Sequence, residues 1–222
     1  MRSSLFIVDS RVADVDQLLE GIEGSARVLH IDPEESAIAQ ISQALAASPD
    51  DVDRLEILSH GQPGGVLLGC DSLDATKLIQ SKRHLENWGR ILGKAGEIIL
   101  HGCQVGAGQV GRAFVEQLHR LTGAGVAANR DITGGESTGG SWNFEVLAGG
   151  TSGASHLSWQ TRHAYAHTLA TFTVSSGVDD GSGNTPGTLS EAIKLANANP
   201  GADTIELANE ITLFGVMTRI IT

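Results

Sequence analysis

Five short apolar runs, separated by segments of helical spacing, restrict this chain more than any other feature. Leu5-Phe6-Ile7-Val8 closes on Asp9-Ser10, and residues 26–31 close on Asp32-Pro33. Residues 55–59 run into His60-Gly61, Ile98-Ile99-Leu100 runs into His101-Gly102-Cys103, and residues 125–128 precede a loop-like stretch, 131–140, rich in Gly, Ser and Thr. Unbroken apolar runs are what strands buried on both faces require. Between them, residues 12–22 set Val15, Leu18, Leu19 and Ile22 at helical spacing, with Asp14 placed to cap. Residues 35–47 repeat the pattern with Ile38, Ile41 and Leu45, and residues 73–92 read as helix in two parts broken near Ser81. Residues 109–121 carry Val110, Phe114, Val115, Leu118 and Leu121 and stop at Gly123. Strands alternating with helices predict an α/β fold, a mainly parallel sheet flanked by helices. Residues 142–147 alternate large apolar with polar side chains and predict an edge or antiparallel strand.

This pattern weakens after residue 148. Gly149-Gly150-Thr151-Ser152-Gly153 is linker-like, and His156, His163 and His167 follow at spacings expected of solvated residues. The expected organisation is a domain over 1–150, a linker over 151–170 and a separate region over 171–222, which is short for an independent core. Aromatics make up only 4% of the chain, so the core must rest on Leu, Ile, Val and Ala. A formal net charge of -11 argues against a nucleic-acid partner, which needs a clustered basic face. No stretch approaches the roughly 18 apolar residues of a membrane span, and the first apolar run ends too early for a signal peptide.

Open α/β sheets bind ligands outside the carboxyl ends of their strands. Two of the strand-like runs deliver a chemically capable residue there: His60 after the third and Cys103 after the fourth. A thiolate with a neighbouring base is a nucleophilic site, so the pair is a candidate catalytic dyad. Cys103 could equally be a buried core thiol, since free Cys is among the most buried residue types. His101, two residues before Cys103, would share its side of a strand and reads best as a satisfied strand-end histidine. Cys70, His60, His101 and Cys103 match no structural zinc spacing, and Gly106-Ala107-Gly108-Gln109-Val110-Gly111 lacks the lysine of a phosphate loop. Neither metal nor cofactor is expected.

Leu58-Ser59-His60-Gly61 and Ile98–Cys103 resemble the histidine and nucleophile segments of caspase-like cysteine peptidases. More closely, residues from about 4 to 147 resemble a bacterial domain family of unknown function, DUF4347. The likeness is carried by Val8-Asp9-Ser10-Arg11, Ser59-His60-Gly61, His101-Gly102-Cys103, Ala107-Gly108, Leu121-Thr122-Gly123 and Gly139-Gly140-Ser141-Trp142. The resemblance implies a caspase-like three-layer sandwich, a secreted or cell-surface parent protein and a peptide or protein substrate, which could be the parent chain. It also makes Asp9, at the end of the first strand, and Asp131, after the fifth, candidates for a substrate pocket; an acid there would suit Lys or Arg, Arg11 nearby would suit an acidic residue, and Asp9 reads equally as a cap or bridge of the βα loop. With the dyad in place, the N–H groups of Gly61 and Cys103 could form an oxyanion hole. Residues 189–205 resemble the opening of a parallel β-helix, with a capping helix before the first coils, as at the front of a longer adhesin-type protein. Beside the peptidase stand two other readings: a non-catalytic N-terminal folding or docking module, and a metal-binding structural domain.

Overall fold

The computed structural model describes residues 3–47, 52–185, 187–198 and 204–207. They fall into two compact units, Met1–Ala170 and Thr171–Thr222. The first runs β1 (Ser3–Val8), α1 (Val15–Glu20), β2 (Ala26–His30), α2 (Ala37–Ala46), β3 (Val52–Leu58), then three short strands β4 (Gly61–Gln62), β5 (Gly65–Leu68) and β6 (Asp71–Asp74). It continues with α3 (Ala75–Gln80), α4 (Lys82–Leu92), β7 (Glu97–Leu100), α5 (Gly108–Thr122), β8 (Gly125–Ala128), β9 (Val146–Ala148) and α6 (Trp159–Ala164). The second holds β10 (Thr171–Val174), α7 (Leu189–Ala198) and β11 (Thr204–Leu207).

All five apolar runs form strands of one six-stranded sheet, in the order β2-β1-β3-β7-β8-β9. The first five pair in parallel and β9 joins antiparallel, which is the mainly parallel α/β sheet expected. β4, β5 and β6 form a separate antiparallel sheet directly after His60. Leu5, Ile7, Leu55, Ile57, Ile98 and Leu100 share one face and pack on Ile41 of α2, Trp88 of α4 and Phe114 of α5. Each such side chain buried is worth about 1.5–3 kcal/mol. The helices α4 and α5 meet at Gly89, where an added Cβ would lie 1.6 Å from the Thr122 carbonyl oxygen.

The opposite face carries Glu56 and His101, alternating with the apolar set. Both are fully buried, and His101 Nε2 bonds Glu56 at 2.8 Å. The His101 ring meets Phe144 edge-on at 5.0 Å. Residues 151–170, expected as a linker, belong to this unit instead. Glu97 accepts from Thr151 Oγ1 at 2.6 Å and Ser152 N–H at 3.0 Å, and Arg54, ion-paired with Glu97, donates to the Ala154 carbonyl. Glu56 accepts from the Ser155 hydroxyl and the His156 N–H, both at 2.9 Å. The polar strand residues and the polar segment answer one another, and Leu157, Tyr165 and Leu169 are buried with it. The histidines follow suit. His156 Nδ1 bonds Ser4 Oγ at 2.6 Å, and His167 Nε2 bonds Asp14 Oδ2 at 2.7 Å, while His163 stays exposed and stacks on Trp159. Asp14 therefore does not cap α1 with its side chain; it sits at φ 45° and its carboxylate goes to His167.

In the second unit β10 and β11 pair in parallel, and α7 packs against both strands. The expected β-helix coils beyond residue 207 lie outside the described residues. Among the described residues no helix is long and apolar enough to cross a membrane.

Burial pushes the Glu56 carboxyl up, but the His101 hydrogen bond and charge, with the bonds from His156 and Ser155, outweigh it and hold the group below its ordinary value. Stabilisation from a depressed carboxyl is full above the unfolded pKa, about 4.3, and is lost as pH falls through the folded value. Removing one partner of a buried pair typically costs about 3–5 kcal/mol. Glu56→Ala is expected to lower Tm strongly at pH 7, with the gap from the parent narrowing below about pH 4. Thermal melts of both chains between pH 7 and pH 3 check this; a constant gap would show the charge of Glu56 to be irrelevant.

Candidate active site

Because β3 and β7 are adjacent and parallel, with Ile57 opposite Leu100, the residues that follow them emerge at one edge of the sheet. The two segments then touch through their backbones. A Cβ added to Gly61 would lie 2.6 Å from the Cys103 carbonyl oxygen, so only glycine permits this approach. His60 and Cys103, each 2% exposed, are held on these two touching segments.

Each nitrogen of the His60 ring faces a carbonyl oxygen: Nε2 lies 3.0 Å from that of Arg11 and Nδ1 lies 2.9 Å from that of Ala170. A neutral imidazole can donate from only one ring nitrogen. Behind Arg11 stands Asp9. Its buried carboxylate accepts from Arg11 N–H at 3.0 Å, from Arg11 Nε and Nη2 at 2.8 and 2.9 Å, and from Gly69 N–H at 2.6 Å. Burial pushes Asp9 up, but the Arg11 and Gly69 bonds together hold it below its ordinary value. The carboxylate thus fixes the backbone that orients His60, and its bonds are directed at Arg11 and Gly69. Asp131, the other pocket candidate, has an exposed side chain 3.6 Å from Arg130. Its carbonyl accepts from Gln104 N–H at 2.8 Å and so steadies the turn after Cys103, where Gln104 sits at φ 57°.

Around Cys103 the decisive neighbour is Thr133. Its N–H points at Sγ from 3.1 Å, its carbonyl lies 3.3 Å from Sγ, and its hydroxyl donates to the Gly102 carbonyl at 3.0 Å. The N–H groups of Gly61 and Cys103 converge on one oxygen, the carbonyl of Leu169, at 3.2 and 3.3 Å. Leu169 in turn donates its N–H to the Thr133 carbonyl at 2.8 Å, and Gly135 donates to the His167 carbonyl at 3.0 Å. Thr168 bridges Gly134 antiparallel, and Ala170 bridges Gly61 in parallel. Residues 167–170 thus lie as an extended segment across the edge where His60 and Cys103 emerge.

Sequence reasoning missed Thr133, Leu169 and Ala170, whose contacts with Sγ, with the two N–H groups and with His60 are made by backbone groups. One signal was available in Gly134-Gly135. A Cβ on these residues would lie 2.4 Å from the His167 carbonyl oxygen and 1.8 Å from that of Tyr165, so the pair opens room for the passing segment. Burial first, then negative charge at Asp14 and Cys103, pushes the Tyr165 phenol well up; it donates to the Ala13 carbonyl at 2.8 Å. His101 is bonded to Glu56 through Nε2 on the covered face, while its buried Nδ1 has no hydrogen-bond partner, so the ring is satisfied at one nitrogen alone. Cys103 lies in a turn beyond β7, so strand alternation does not tie the two together. Neither cysteine forms a disulfide, and among the described residues no group of three or more His, Cys, Asp or Glu could hold a metal.

Fold and site together define an α/β domain with a histidine and a cysteine at the carboxyl ends of neighbouring parallel strands. The profile of a family described as a domain of unknown function, DUF4347, matches residues 5–169, and the chain belongs to that family. No curated protein and no solved structure matches it.

If Asp9 acts on His60 through Arg11, the two should be energetically coupled. Urea unfolding of Asp9→Asn, Arg11→Met and the double variant is expected to give a coupling of about 0.5–3 kcal/mol. Additive effects would mean that the pair contributes nothing jointly.

Proposed function

We propose that the first unit is a caspase-like cysteine endopeptidase domain. Cys103 is the nucleophile and His60 its base and later acid, while the N–H groups of Gly61 and Cys103 receive the developing oxyanion. The observation that carries this reading is the convergence of those two N–H groups on a single carbonyl oxygen beside the cysteine. A buried carbonyl held by two backbone donors is the ground-state form of the charge such a pair stabilises, and losing one donor typically costs about 3–4 kcal/mol of barrier. Resemblance at Ser59-His60-Gly61 and His101-Gly102-Cys103 supports the same assignment.

The reading favours an apolar residue before the cut bond. Leu169 is fully buried where its carbonyl meets the two donors, while Asp9 is engaged by Arg11 and Asp131 points to solvent. For the second unit the reading is the start of a parallel β-helix within a larger surface or secreted protein, supported by the parallel pairing of β10 and β11 with α7 packed on them.

Labelling with a peptidyl electrophile tests the proposal. A chloromethyl ketone with leucine at its reactive end is expected to alkylate Cys103, giving no adduct in Cys103→Ala and at least about 100-fold slower labelling in His60→Ala. Gly61→Ala should also cost about 100-fold, because displacing this backbone removes one oxyanion donor. Failure of apolar, basic and acidic electrophiles alike to label Cys103 would remove the peptidase reading and leave a folding or docking module.

A further inference from the structure

We infer that the substrate of this site is the chain itself, and that the bond cut is Leu169–Ala170. The inference rests on the peptidase reading above and names its substrate.

Three observations point to this one bond. The Leu169 carbonyl oxygen is the atom that Gly61 N–H and Cys103 N–H share, which makes Leu169 the acyl residue. The segment around it is docked by main-chain bonds on both sides: Leu169 N–H to Thr133, Gly135 N–H to His167, and the bridges of Thr168 to Gly134 and Ala170 to Gly61. Extended peptides are bound in this way when they add a strand to an exposed edge, main-chain bonds supplying affinity and side-chain pockets specificity. Finally, His60 Nδ1 lies 2.9 Å from the carbonyl oxygen of Ala170, the residue whose nitrogen would leave, which puts the ring on the leaving-group side of the bond. The position also has meaning for the chain. The compact first unit ends at Ala170 and the family match at residue 169, so the cut would separate the domain from all that follows it.

The step balances with water as the only co-reactant. The Cys103 thiolate forms a C–S bond to the Leu169 carbonyl carbon, and the carbonyl electron pair moves onto the oxygen held by the two N–H groups. Collapse breaks the C–N bond, and His60 delivers its proton to the Ala170 nitrogen, which leaves as a free amine. Water, giving a proton to His60, then attacks the thioester. The Leu169 carboxylate is released and the Cys103–His60 pair is restored.

A segment tethered beside the site has an effective concentration in the millimolar range, so cleavage in cis is first order and independent of protein concentration. Intact-mass measurement on the full chain tests this. The parent chain is expected to give fragments 1–169 and 170–222 with the same half-life over a 100-fold dilution, Cys103→Ala to stay whole, and Leu169→Asp to be cut at least tenfold more slowly, with Leu169→Met close to the parent. Cleavage at another bond, cleavage in Cys103→Ala, or a half-life that lengthens on dilution would overturn the inference. The electrophile separates the two levels of failure. A chain that stays whole while Cys103 is alkylated is a peptidase with a different substrate; one that stays whole with Cys103 unlabelled loses both readings.

Discussion

Two backbone N–H groups, from Gly61 and Cys103, share the carbonyl oxygen of Leu169, and much of the first unit is arranged so that they can. The groups belong to different strand ends, and they meet because β3 and β7 are neighbours and because Gly61 lies against the Gly102–Cys103 backbone with no room for a Cβ. A buried N–H without a partner costs about 1–3 kcal/mol. A site with two such donors therefore stabilises whatever carbonyl fills it, and the chain supplies that carbonyl itself.

Bringing Leu169 to this edge requires the preceding 20 residues to be held, and that is the role of the charged residues inside the sheet. Arg54 and Glu97 face each other across β3 and β7 and hold residues 151–154; Glu56, two residues further along β3, holds 155 and 156 and carries His101 on its other side. From there α6 packs beside α1, and His167 reaches Asp14. The same carboxylates that are costly to bury thereby determine the path of the segment. Removing the Glu56 carboxylate takes away the bonds to Ser155 and His156 that lead the segment toward this edge.

The strands, the helices and their alternation were legible because unbroken apolar runs and helical spacing have few other solutions. The placement of His60, Gly61 and Cys103 at one edge of the sheet was legible because each follows an apolar, strand-like run. What was not legible shares one cause: contacts made by backbone, or between polar groups far apart in sequence, leave no periodic trace. Residues 151–170 look like a linker because their Ser, Thr, Gly and His side chains are polar, yet their partners, Glu56, Arg54 and Glu97, lie about 100 residues or fewer upstream on buried strands. Asp9 was open to two readings, a pocket acid or a bridge of the βα loop; its carboxylate bonds Arg11 and Gly69, and the Arg11 carbonyl lies beside His60 Nε2. Thr133 could not be read at all, since its N–H and carbonyl, not its identity, meet Sγ.

The most direct test of the account is a crystal structure of the uncut Cys103→Ala chain. The prediction is that the Leu169 carbonyl oxygen lies within hydrogen-bonding distance of the N–H groups of residues 61 and 103, with His60 beside Ala170. Density showing residues 167–170 away from these donors, or the Leu169 carbonyl turned from them, would contradict it.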